Sequence, residues 1–463
     1  MIRKLLITAS SLAVLGYLGL SGYAYFHDTG YARQSESRAS YSAENARIRT
    51  LLDQKACYYC HSRHTELPGY ARLPGIRQLS SYDVKRGQEN FQIDALFESL
   101  RNGTPVPEAD LAKVEFVIGD RSMPPKLFRA VHWSTGLTEN DRRELLDWIA
   151  SERKAHYTTP GVALQFRSEA AQPLPNLIPV DPRKVSIGMQ LFHDPRLSAD
   201  NTVSCASCHS LSRGGVDGRK TSLGVGSRVG PINAPTVFNA VLNRAQFWDG
   251  RAAGLQDQAG GPPLNPIEMA STSWAQIIGK LKMDPPLTRA FNAVYPDGYS
   301  GKTITDAIAE FEKTLLTPSR FDAYLRGDEA ALTSEEIRGY KLFKADRCAT
   351  CHVGKNLGGQ SFERLGLHGD YFADRKTGMT KADNGRENAT ADEFDLHRFK
   401  TPTLRNVALT GPWLHDGSVT DLHQAVRIML KYQVGTPARD EDVNALVAFL
   451  ESLTGNYTPM KTP

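Results

Sequence analysis

The sequence predicts a mainly α-helical protein with three domains behind one N-terminal transmembrane helix, the last two domains being an internal duplication. Three observations predict this organisation. A motif of two cysteines and a histidine occurs three times, several short sequences recur at a spacing of 167 residues, and an uncharged apolar run begins at Leu5. A chain of 463 residues is long enough for two or three domains that each bury a core.

The repeated motif is Cys-x-x-Cys-His, and its copies contain all six cysteines of the chain. The copies are Cys57-Tyr58-Tyr59-Cys60-His61, Cys205-Ala206-Ser207-Cys208-His209 and Cys348-Ala349-Thr350-Cys351-His352. In this motif both thiols bond the edge of a c-type haem, and the imidazole takes one axial site on the iron. Zinc sites and redox dithiols also use Cys-x-x-Cys pairs, but neither needs a histidine after every pair. The motifs therefore predict three covalently bound c-type haems, each in a cytochrome c-like domain.

The charge of the chain argues against a nucleic-acid partner. The formal net charge is only +4 over 463 residues. The sequence also lacks a basic run with interleaved aromatic residues, which nucleic-acid binding favours. We therefore expect no nucleic acid among its partners.

The N-terminus predicts a membrane anchor. An uncharged run extends from Leu5 to Phe26, and as a helix it is about 33 Å long, enough to cross a bilayer. Arg3 and Lys4 precede the run, which places the rest of the chain on the periplasmic side of a bacterial inner membrane. A cleaved secretory signal is the alternative, but no clear small-x-small cleavage site follows the run. The polar residues 28–45 suit a tether between membrane and globule.

The first haem domain offers Met123 as the sixth iron ligand opposite His61. Met123 lies in Ser122-Met123-Pro124-Pro125, where the prolines forbid helix and present the thioether from a rigid loop. A helix predicted from Thr138 to Ala150 then closes the domain. The alternatives are that Met123 is only a core residue, or that His64 or His132 is the ligand.

An internal repeat relates the second and third haem domains. The matching pairs at an offset of 167 are Pro235-Thr236-Val237-Phe238-Asn239 with Pro402-Thr403-Leu404-Arg405-Asn406, and Trp248-Asp249-Gly250 with His415-Asp416-Gly417. Before the two haem motifs, Gly188-x-x-Leu191-Phe192 matches Gly339-x-x-Leu342-Phe343. The third domain carries a longer loop between His352 and Pro402, rich in charge and glycine, which we expect to be exposed.

These features predict the following division of the chain. The segments are a transmembrane signal-anchor at 1–27, a mono-haem domain at 28–160, a proline-rich linker at 161–180, a second haem domain at 181–330 and a third at 331–463. The duplication implies that the last two domains share one fold. Their differences should therefore locate the function.

In the third domain, Met429 is the candidate sixth ligand opposite His352. It follows Leu422, Ala425 and Val426 on one apolar stripe of a predicted helix. A methionine on such a stripe is more commonly a core residue, and Met379 is a rival ligand in the long loop. A His/Met haem has a raised potential and no vacant position, so it would relay electrons.

The second domain lacks a matching methionine, because Pro262 occupies the position equivalent to Met429. The segment 258–269 is rich in proline and predicts a rigid loop that carries Gln258 and Glu268 over a haem face. Reductive cleavage of peroxide needs a vacant iron position, a base and a hydrogen-bond donor. Glu268 would be the base and Gln258 the donor. A solvated surface carboxylate is the alternative for Glu268, and Met269 could instead ligate the iron.

Several further motifs carry a family resemblance. They are Phe192-His193-Asp194-Pro195-Arg196-Leu197-Ser198, Gly214-Gly215-Val216-Asp217, Asn233-Ala234-Pro235-Thr236, Gln246-Phe247-Trp248-Asp249-Gly250-Arg251 and Leu404-Arg405-Asn406-Val407-Ala408-Leu409-Thr410. With these motifs, the chain from about 180 to 463 closely resembles the bacterial di-haem cytochrome c peroxidases. The whole chain, with its anchor and extra haem motif, resembles their tri-haem, membrane-anchored branch, the quinol peroxidases.

The resemblance implies roles for the site residues. It makes His209 the proximal ligand of the peroxidatic haem, with Gln258 and Glu268 as the distal catalytic pair. It makes His352 and Met429 the ligands of the high-potential haem. Trp248 would lie between these two haems as an electron path, although core packing is the commoner fate of a tryptophan.

The resemblance also implies a calcium ion where the second and third domains meet. Its ligands would be the Asn233 side chain and the main-chain carbonyls of Thr410 and Pro412. Oxygen donors of this kind suit calcium.

One loop departs from the family pattern. Many di-haem members carry a histidine in a Gly-x-Gly loop, where it occupies the peroxidatic iron until the second haem is reduced. Here the loop contains Val225, which cannot ligate iron. We therefore expect the peroxidatic haem to be five-coordinate or water-bound even when fully oxidised.

The expected function is a periplasmic peroxidase that reduces hydrogen peroxide to water with electrons from membrane quinol. The first and third haems would relay these electrons to the second. A soluble cytochrome c or cupredoxin is the alternative donor, and a non-enzymatic tri-haem electron-transfer protein is the alternative function. Related di-haem enzymes that oxidise a protein tryptophan have tyrosine as the far ligand of the second haem, so Met429 argues against that activity. A homodimer is a further expectation.

Overall fold

The computed structural model describes residues 2–37 and 41–459, which form parts of two compact units, Met1–Tyr157 and Thr158–Pro463. Met1, 38–40 and 460–463, which belong to the predicted anchor, tether and third haem domain, lie outside the described residues. The described structure is mainly helical, as predicted.

The helices of the first unit are α1 (Ile2–Ser37), α2 (Ala43–Gln54), α3 (Tyr58–His61), α4 (Ile76–Asn90), α5 (Asp94–Asn102), α6 (Glu108–Gly119), α7 (Lys126–Val131) and α8 (Glu139–His156). Those of the second unit are α9 (Pro182–Phe192), α10 (Cys205–Cys208), α11 (Leu255–Ala259), α12 (Trp274–Leu281), α13 (Pro285–Val294), α14 (Gly301–Glu312), α15 (Arg320–Leu325), α16 (Ser334–Ala345), α17 (Tyr371–Asp374), α18 (Glu387–Thr390), α19 (Leu422–Met429) and α20 (Asp440–Ser452). Two short strands, β1 (Phe362–Arg364) and β2 (Arg398–Lys400), pair antiparallel.

Helix α1 contains the predicted apolar run. Its segment Leu6–Tyr31 is long and apolar enough to cross a membrane, and a signal sequence would meet the same criterion. The expected polar tether begins instead as helix, because α1 continues to Ser37. Residues 28–37 contain no proline, so no residue in this stretch removes a helical hydrogen bond.

The first unit has its own apolar core, built from α2, α5, α6 and α8. Among its buried residues are Ile48, Leu96, Leu111 and Trp148. Helix α8 begins where the sequence predicts, since Thr138 and Asp141 exchange side-chain to main-chain hydrogen bonds of 3.1 and 2.7 Å. It ends at His156, six residues beyond the predicted end.

The second unit repeats one helix crossing in each half. Gly188 in α9 lies against α14, and a Cβ added there would be 1.8 Å from the carbonyl oxygen of Ala307. Gly339 in α16 lies in the same way against α20, where the corresponding distance to the oxygen of Ala445 is 1.9 Å. Only glycine permits such close backbone contact. The duplication seen in the sequence is therefore a duplication of tertiary packing.

The two halves meet at one buried hydroxyl. Asn239 and Asn406, which are equivalent in the repeat, both adopt left-handed backbone geometry, with φ of 60° and 59°. Each donates its side-chain amide to Oγ1 of Thr317 at 2.7 Å. This arrangement ties the loop after each haem motif to the same point.

Two segments of the second unit are more tightly packed than the sequence suggests. The expected linker contains Leu174, whose main-chain N–H donates to the buried carboxylate of Asp322 at 2.6 Å. The long loop after His352 was expected to be exposed, but its residues Asp383 and Phe399 are buried. That expectation was wrong for this part of the loop, because β1, β2 and an aromatic cluster fold it back onto the unit, whereas residues 376–381 are exposed.

The glycine crossing leads to a stability prediction. Gly188→Ala should destabilise the second unit by roughly 1–3 kcal/mol or more, because its methyl group would overlap the Ala307 carbonyl. Calorimetry of the holoprotein should show a lower unfolding temperature, by about 2–4 °C per kcal/mol. Gly279→Ala, at an exposed position of α12 with open space around it, is the matched control and should stabilise by about 0.5–1 kcal/mol. Equal effects at the two positions would contradict the close crossing.

Candidate active site

Each motif histidine is oriented by the main chain. Its ring Nδ1 lies within hydrogen-bonding distance of carbonyl oxygens, and this leaves Nε2 free to bind iron. The contacts are His61 to Gly87 and Phe91, both 3.1 Å, His209 to Gly215, 3.3 Å, and His352 to Leu357, 3.2 Å. Burial lowers the pKa of all three rings, that of His352 to about 4. The neutral form that a metal requires is therefore favoured.

None of the six cysteines forms a disulfide, and all six are half-buried. Each pair lies on one short helical turn directly before its histidine: Cys57 and Cys60 at α3, Cys205 and Cys208 on α10, and Cys348 and Cys351 at a 3₁₀ turn. Two thiols and a histidine Nε2 side by side fit a c-type haem at each motif.

The surroundings of Met123 support it as the sixth ligand of the first haem. Met123 is half-buried in the loop between α6 and α7. The rival His132 is buried, and both of its ring nitrogens are occupied, by Asp28 at 2.7 Å and by the Tyr70 hydroxyl at 2.5 Å. The other rival, His64, is exposed. Met123 as ligand stays a prediction.

Met429 is the last residue of α19 and is half-buried. A single π-helical turn, Leu430–Val434, follows it, and such turns are frequent at functional sites. The buried side of α19 is formed by Leu422 and Val426. Its rival Met379 is 54% exposed, which favours Met429 as the ligand.

In the second domain the segment expected as a loop begins with a short helix. Gln258 lies on α11, and a 3₁₀ turn at Pro262–Leu264 follows. Glu268 comes after this turn and is half-buried. Its carboxylate accepts a hydrogen bond of 2.8 Å from Asn265 Nδ2, and its main-chain carbonyl accepts one of 2.8 Å from the N–H of Val225. Hydrogen bonds thus hold both the side chain and the main chain of Glu268 in place.

The electrostatic environment of Glu268 suits a proton acceptor. Burial raises the pKa of its carboxyl, and this effect outweighs the opposing influence of the Arg251 charge and of the Asn265 hydrogen bond. The Arg251 guanidinium lies 3.6 Å above the ring of Phe247 and pairs with Asp249 at 2.9 Å. A raised pKa makes the carboxylate a stronger base, so it takes up a proton more readily.

Met269 lies in the apolar core of the second domain and is 2% exposed. Its carbonyl accepts a hydrogen bond of 2.7 Å from the N–H of Ala199, and Leu197 and Ile277 belong to the same core. This surrounding supports a packing role for Met269 rather than iron ligation.

Trp248 lies where the two halves of the second unit meet. Its indole Nε1 donates to the carbonyl of Asn233 in the same half at 2.9 Å. It packs edge-to-face on Phe399 of the other half, and its carbonyl accepts a 2.8 Å hydrogen bond from Lys400. This position is compatible with a role between two haems.

Three protein-family models match different parts of the chain. The description "Di-haem cytochrome c peroxidase" matches residues 182–330, "Haem-binding domain" matches 16–151 and "Cytochrome c" matches 337–454. Cytochrome c peroxidase Ccp of Escherichia coli (strain K12) is 54% identical over 457 residues, which are 98% of this chain and 97% of that relative. The chain belongs to the di-haem cytochrome c peroxidase family. The predicted resemblance, the three haem-related domains and the haem c peroxidase class are thereby confirmed.

Other relatives of this peroxidase cover less of it. Cytochrome c551 peroxidase of Nitrosomonas europaea is 44% identical over 64% of this chain and 87% of its own. The crystal structure of a MauG-like protein associated with microbial copper homeostasis is 29% identical, with a TM-score of 0.54, and covers 61% of this chain and 95% of that one. The peroxidase therefore carries an additional part of about a third of its length.

The predicted calcium ligands lie in the two halves of the second unit, near the place where these halves meet. Asn233 donates its Nδ2 to the carbonyls of Arg219 and Lys220 at 3.0 and 3.3 Å, which leaves its amide oxygen for a cation. Its main-chain N–H donates to the carbonyl of His415, in the segment that contains Thr410 and Pro412. Within the described residues, no cluster of three or more His, Cys, Asp or Glu forms a metal site. Amide and carbonyl oxygens fit calcium, and the ion stays a prediction.

Sequence reasoning did not find the residues that position the catalytic ones. Asn265 was treated only as part of a loop, although it lies three residues before Glu268 in a turn that brings the two side chains together. Asp383 was likewise missed, and it binds His415 Nε2 at 2.7 Å and Arg375 at 2.7 Å. In the sequence such partners can be recognised only as polar residues, since a side-chain contact formed by folding leaves no local sequence pattern.

The environment of Glu268 leads to a prediction about pH dependence. Asn265→Ala removes a hydrogen bond that stabilises the ionised carboxylate, so the pKa of Glu268 should rise further. A base acts only above its pKa, and the acid limb of kcat/KM for hydrogen peroxide should therefore move to higher pH. Steady-state peroxide consumption across the acid range measures this shift.

Two variants control this experiment. Ile267→Ala changes an exposed neighbour on the same loop and should leave the pH profile in place. Glu268→Gln should lose both the limb and on the order of 10²-fold or more of the rate. An acid limb that stays fixed in Asn265→Ala would show that another group is the titrating base.

Proposed function

We propose that this peroxidase reduces hydrogen peroxide to two molecules of water on the periplasmic side of the bacterial inner membrane, with membrane quinol as the electron donor. The observation that carries the reaction is the half-buried Glu268, whose pKa is raised and whose position is held by Asn265 and Val225. The reaction consumes two electrons and two protons for each peroxide.

The residues of the second domain would divide the chemistry as follows. The haem bound through His209 would supply the iron redox chemistry that cleaves the O–O bond. Glu268 takes a proton from one peroxide oxygen and returns it to the other, which leaves as water. Gln258 on α11 donates a hydrogen bond that orients the peroxide. The proton that Glu268 moves belongs to the peroxide itself, so both protons that the reaction consumes come from solvent.

The first and third domains supply electrons. Both pair a motif histidine with a methionine candidate, His61 with Met123 and His352 with Met429, a ligand pair that raises the haem potential and leaves no open position. Trp248 contacts both halves of the second unit and lies on the proposed path to the second domain. We include three haems and a calcium ion in this proposal.

Helix α1 supports quinol as the donor. Its apolar segment Leu6–Tyr31 continues without interruption into the first haem domain. The hydroxyl of Tyr17 in this segment donates to the carbonyl of Ala130 at 2.6 Å, so the haem domain lies alongside the helix. This arrangement supports the proposal that the first haem motif lies near the membrane surface, where a lipid-soluble donor is present.

The donor can be tested directly. Full-length holoenzyme in detergent should consume hydrogen peroxide with a short-chain ubiquinol, and reduced soluble cytochrome c should support a much lower rate. We expect this preference because α1, as the proposed membrane anchor, would bring the first haem motif close to a donor dissolved in the lipid. A higher rate of peroxide consumption with cytochrome c or a cupredoxin would show that the donor is a soluble protein. No peroxide consumption with any donor would leave only the electron-transfer function.

The state of the resting enzyme provides a second test. Val225 replaces the histidine that blocks the iron in many relatives, and its N–H is bonded to the carbonyl of Glu268 at 2.8 Å. The fully oxidised protein should therefore show a high-spin signal from one haem in its optical and EPR spectra. Turnover should begin without prior reduction. Low-spin spectra for all three haems would contradict the open site.

A further inference from the structure

A charged residue is buried near the end of the apolar helix. Asp28 of α1 is 2% exposed, although it lies inside the candidate membrane segment Leu6–Tyr31. Its carboxylate is covered by the first haem domain, where Oδ2 lies 2.7 Å from Nδ1 of His132 and Oδ1 accepts from the hydroxyl of Tyr59 at 2.8 Å. A buried carboxylate in such a place requires these partners.

The contacts of Asp28 continue into a chain of hydrogen bonds. The Tyr70 hydroxyl lies 2.5 Å from His132 Nε2, so the ring joins Tyr70 on one side to Asp28 on the other. This pattern requires Tyr70 to donate to Nε2 and Nδ1–H to donate to the carboxylate. We call these three residues the Tyr70–His132–Asp28 relay. A further tyrosine and histidine lie at its far end, since Tyr59 is 2.6 Å from His27.

The relay lies beside the first haem motif. Tyr59, which bonds Asp28, stands between Cys57 and Cys60 and is itself buried. Phe128 of α7 stacks on the ring of His132 with centroids 3.9 Å apart. Titratable groups and an electron acceptor are therefore adjacent, a combination that the proposed mechanism does not yet use.

Exposed apolar side chains belong to the segments that carry the relay. They are Tyr23, Phe26, Leu73, Leu127 and Trp133, the last three 52%, 74% and 51% exposed. Trp133 also donates to the Tyr17 hydroxyl at 2.9 Å, and Tyr17 lies about 16 Å along α1 from Asp28. The segment 126–133 thus lies at the depth of the apolar helix. A membrane ligand with an apolar body and a hydroxyl group fits this surface.

We propose that the Tyr70–His132–Asp28 relay accepts the protons of a membrane hydroquinone when that molecule is oxidised. This inference rests on the proposed quinol donor and names the residues that recognise and deprotonate it. Tyr70 is half-buried and would touch the hydroquinone hydroxyl, whereas His132 and Asp28 act through it.

The step balances in atoms and electrons. Hydroquinone loses two electrons and two protons and becomes quinone, and hydrogen peroxide is the oxidant that finally takes the electrons. For each proton, a hydroquinone O–H bond breaks, its proton goes to the Tyr70 oxygen, and the Tyr70 proton moves to His132 Nε2. The imidazolium is paired with the Asp28 carboxylate until its proton leaves to solvent. The groups that face His132 are Asp28 from α1, Tyr59 from α3 and Tyr70 from the turn at 69–72.

Tyr70 is suited to pass protons on without losing its own permanently. Burial, and next the charge of Asp28, raise the pKa of its hydroxyl, so that it remains protonated between turnovers. The Tyr70 hydroxyl can therefore donate its proton to His132 while it accepts a proton from the hydroquinone.

Isosteric variants test the relay in full-length holoenzyme. Asp28→Asn, His132→Asn and Tyr70→Phe should each lower the kcat for peroxide reduction with a short-chain ubiquinol on the order of 10²-fold. Turnover with ferrocyanide, which delivers electrons without protons, should stay within about twofold because its oxidation needs no proton acceptor. His156→Asn, at an exposed position of α8, is the matched control and should change neither rate.

A binding experiment provides a readout that does not depend on turnover. An azido-quinone should, on illumination, label peptides from 69–73 and 126–133, and excess ubiquinol should suppress the labelling. Labelling elsewhere would place the quinone site away from the relay.

The possible failures are distinct. If the wild-type enzyme does not oxidise ubiquinol, the proposed donor fails and the relay fails with it. If it does and the three variants match it, the relay alone is overturned. Equal loss with ubiquinol and ferrocyanide in Tyr70→Phe, which keeps the ring packing, would show a structural role and also overturn the relay.

Discussion

The architecture depends on one repeated interaction, the hydrogen bond between a motif histidine and a main-chain carbonyl. It holds Nε2 in the direction of the iron and keeps the ring neutral in a buried place. Each bond needs a loop that returns to the motif after several residues. In the second unit the carbonyls of Pro235 and Pro402, equivalent in the repeat, also face His209 and His352. The repeat therefore preserves the surroundings of the histidines as well as the motifs themselves.

The two repeated domains share one helix crossing and differ in a segment that bears on their proposed roles. In the third domain this segment is α19, which ends at Met429. In the second domain it breaks after α11 into proline-containing turns that present Glu268. A helix that ends in a thioether suits a closed electron-transfer haem, and a loop that holds a carboxyl suits an open one. In the proposed function, duplication and local divergence thus separate electron delivery from peroxide chemistry within one unit.

The first unit joins its haem motif to the apolar helix through buried polar residues, of which Asp28 of α1 is the centre. Burial of a carboxylate needs compensation by hydrogen bonds, and two separate elements supply them, through Tyr59 of α3 and His132 after α7. Such an arrangement joins the apolar helix to the haem domain by more than chain connectivity.

Much of this organisation was predictable from local sequence. The attachment motifs, the apolar run, the repeat and the cap of α8 at Thr138 each depend on residues close together in the chain, and the structure agrees with them. The continuation of α1 to Ser37 and the burial of Asp383 were missed, because helix propensity is weak and burial depends on distant partners.

What the sequence by itself determined is the local pattern for attachment: which cysteines and histidines form the three haem motifs, and which half lacks a methionine at the position of Met429. Only the tertiary structure decided which polar residues support that chemistry. Asn265 beside Glu268 and Tyr70 beside His132 are examples. The physical reason is that covalent attachment requires a fixed local spacing, whereas a hydrogen bond requires only proximity in space, which folding can create between residues at any separation.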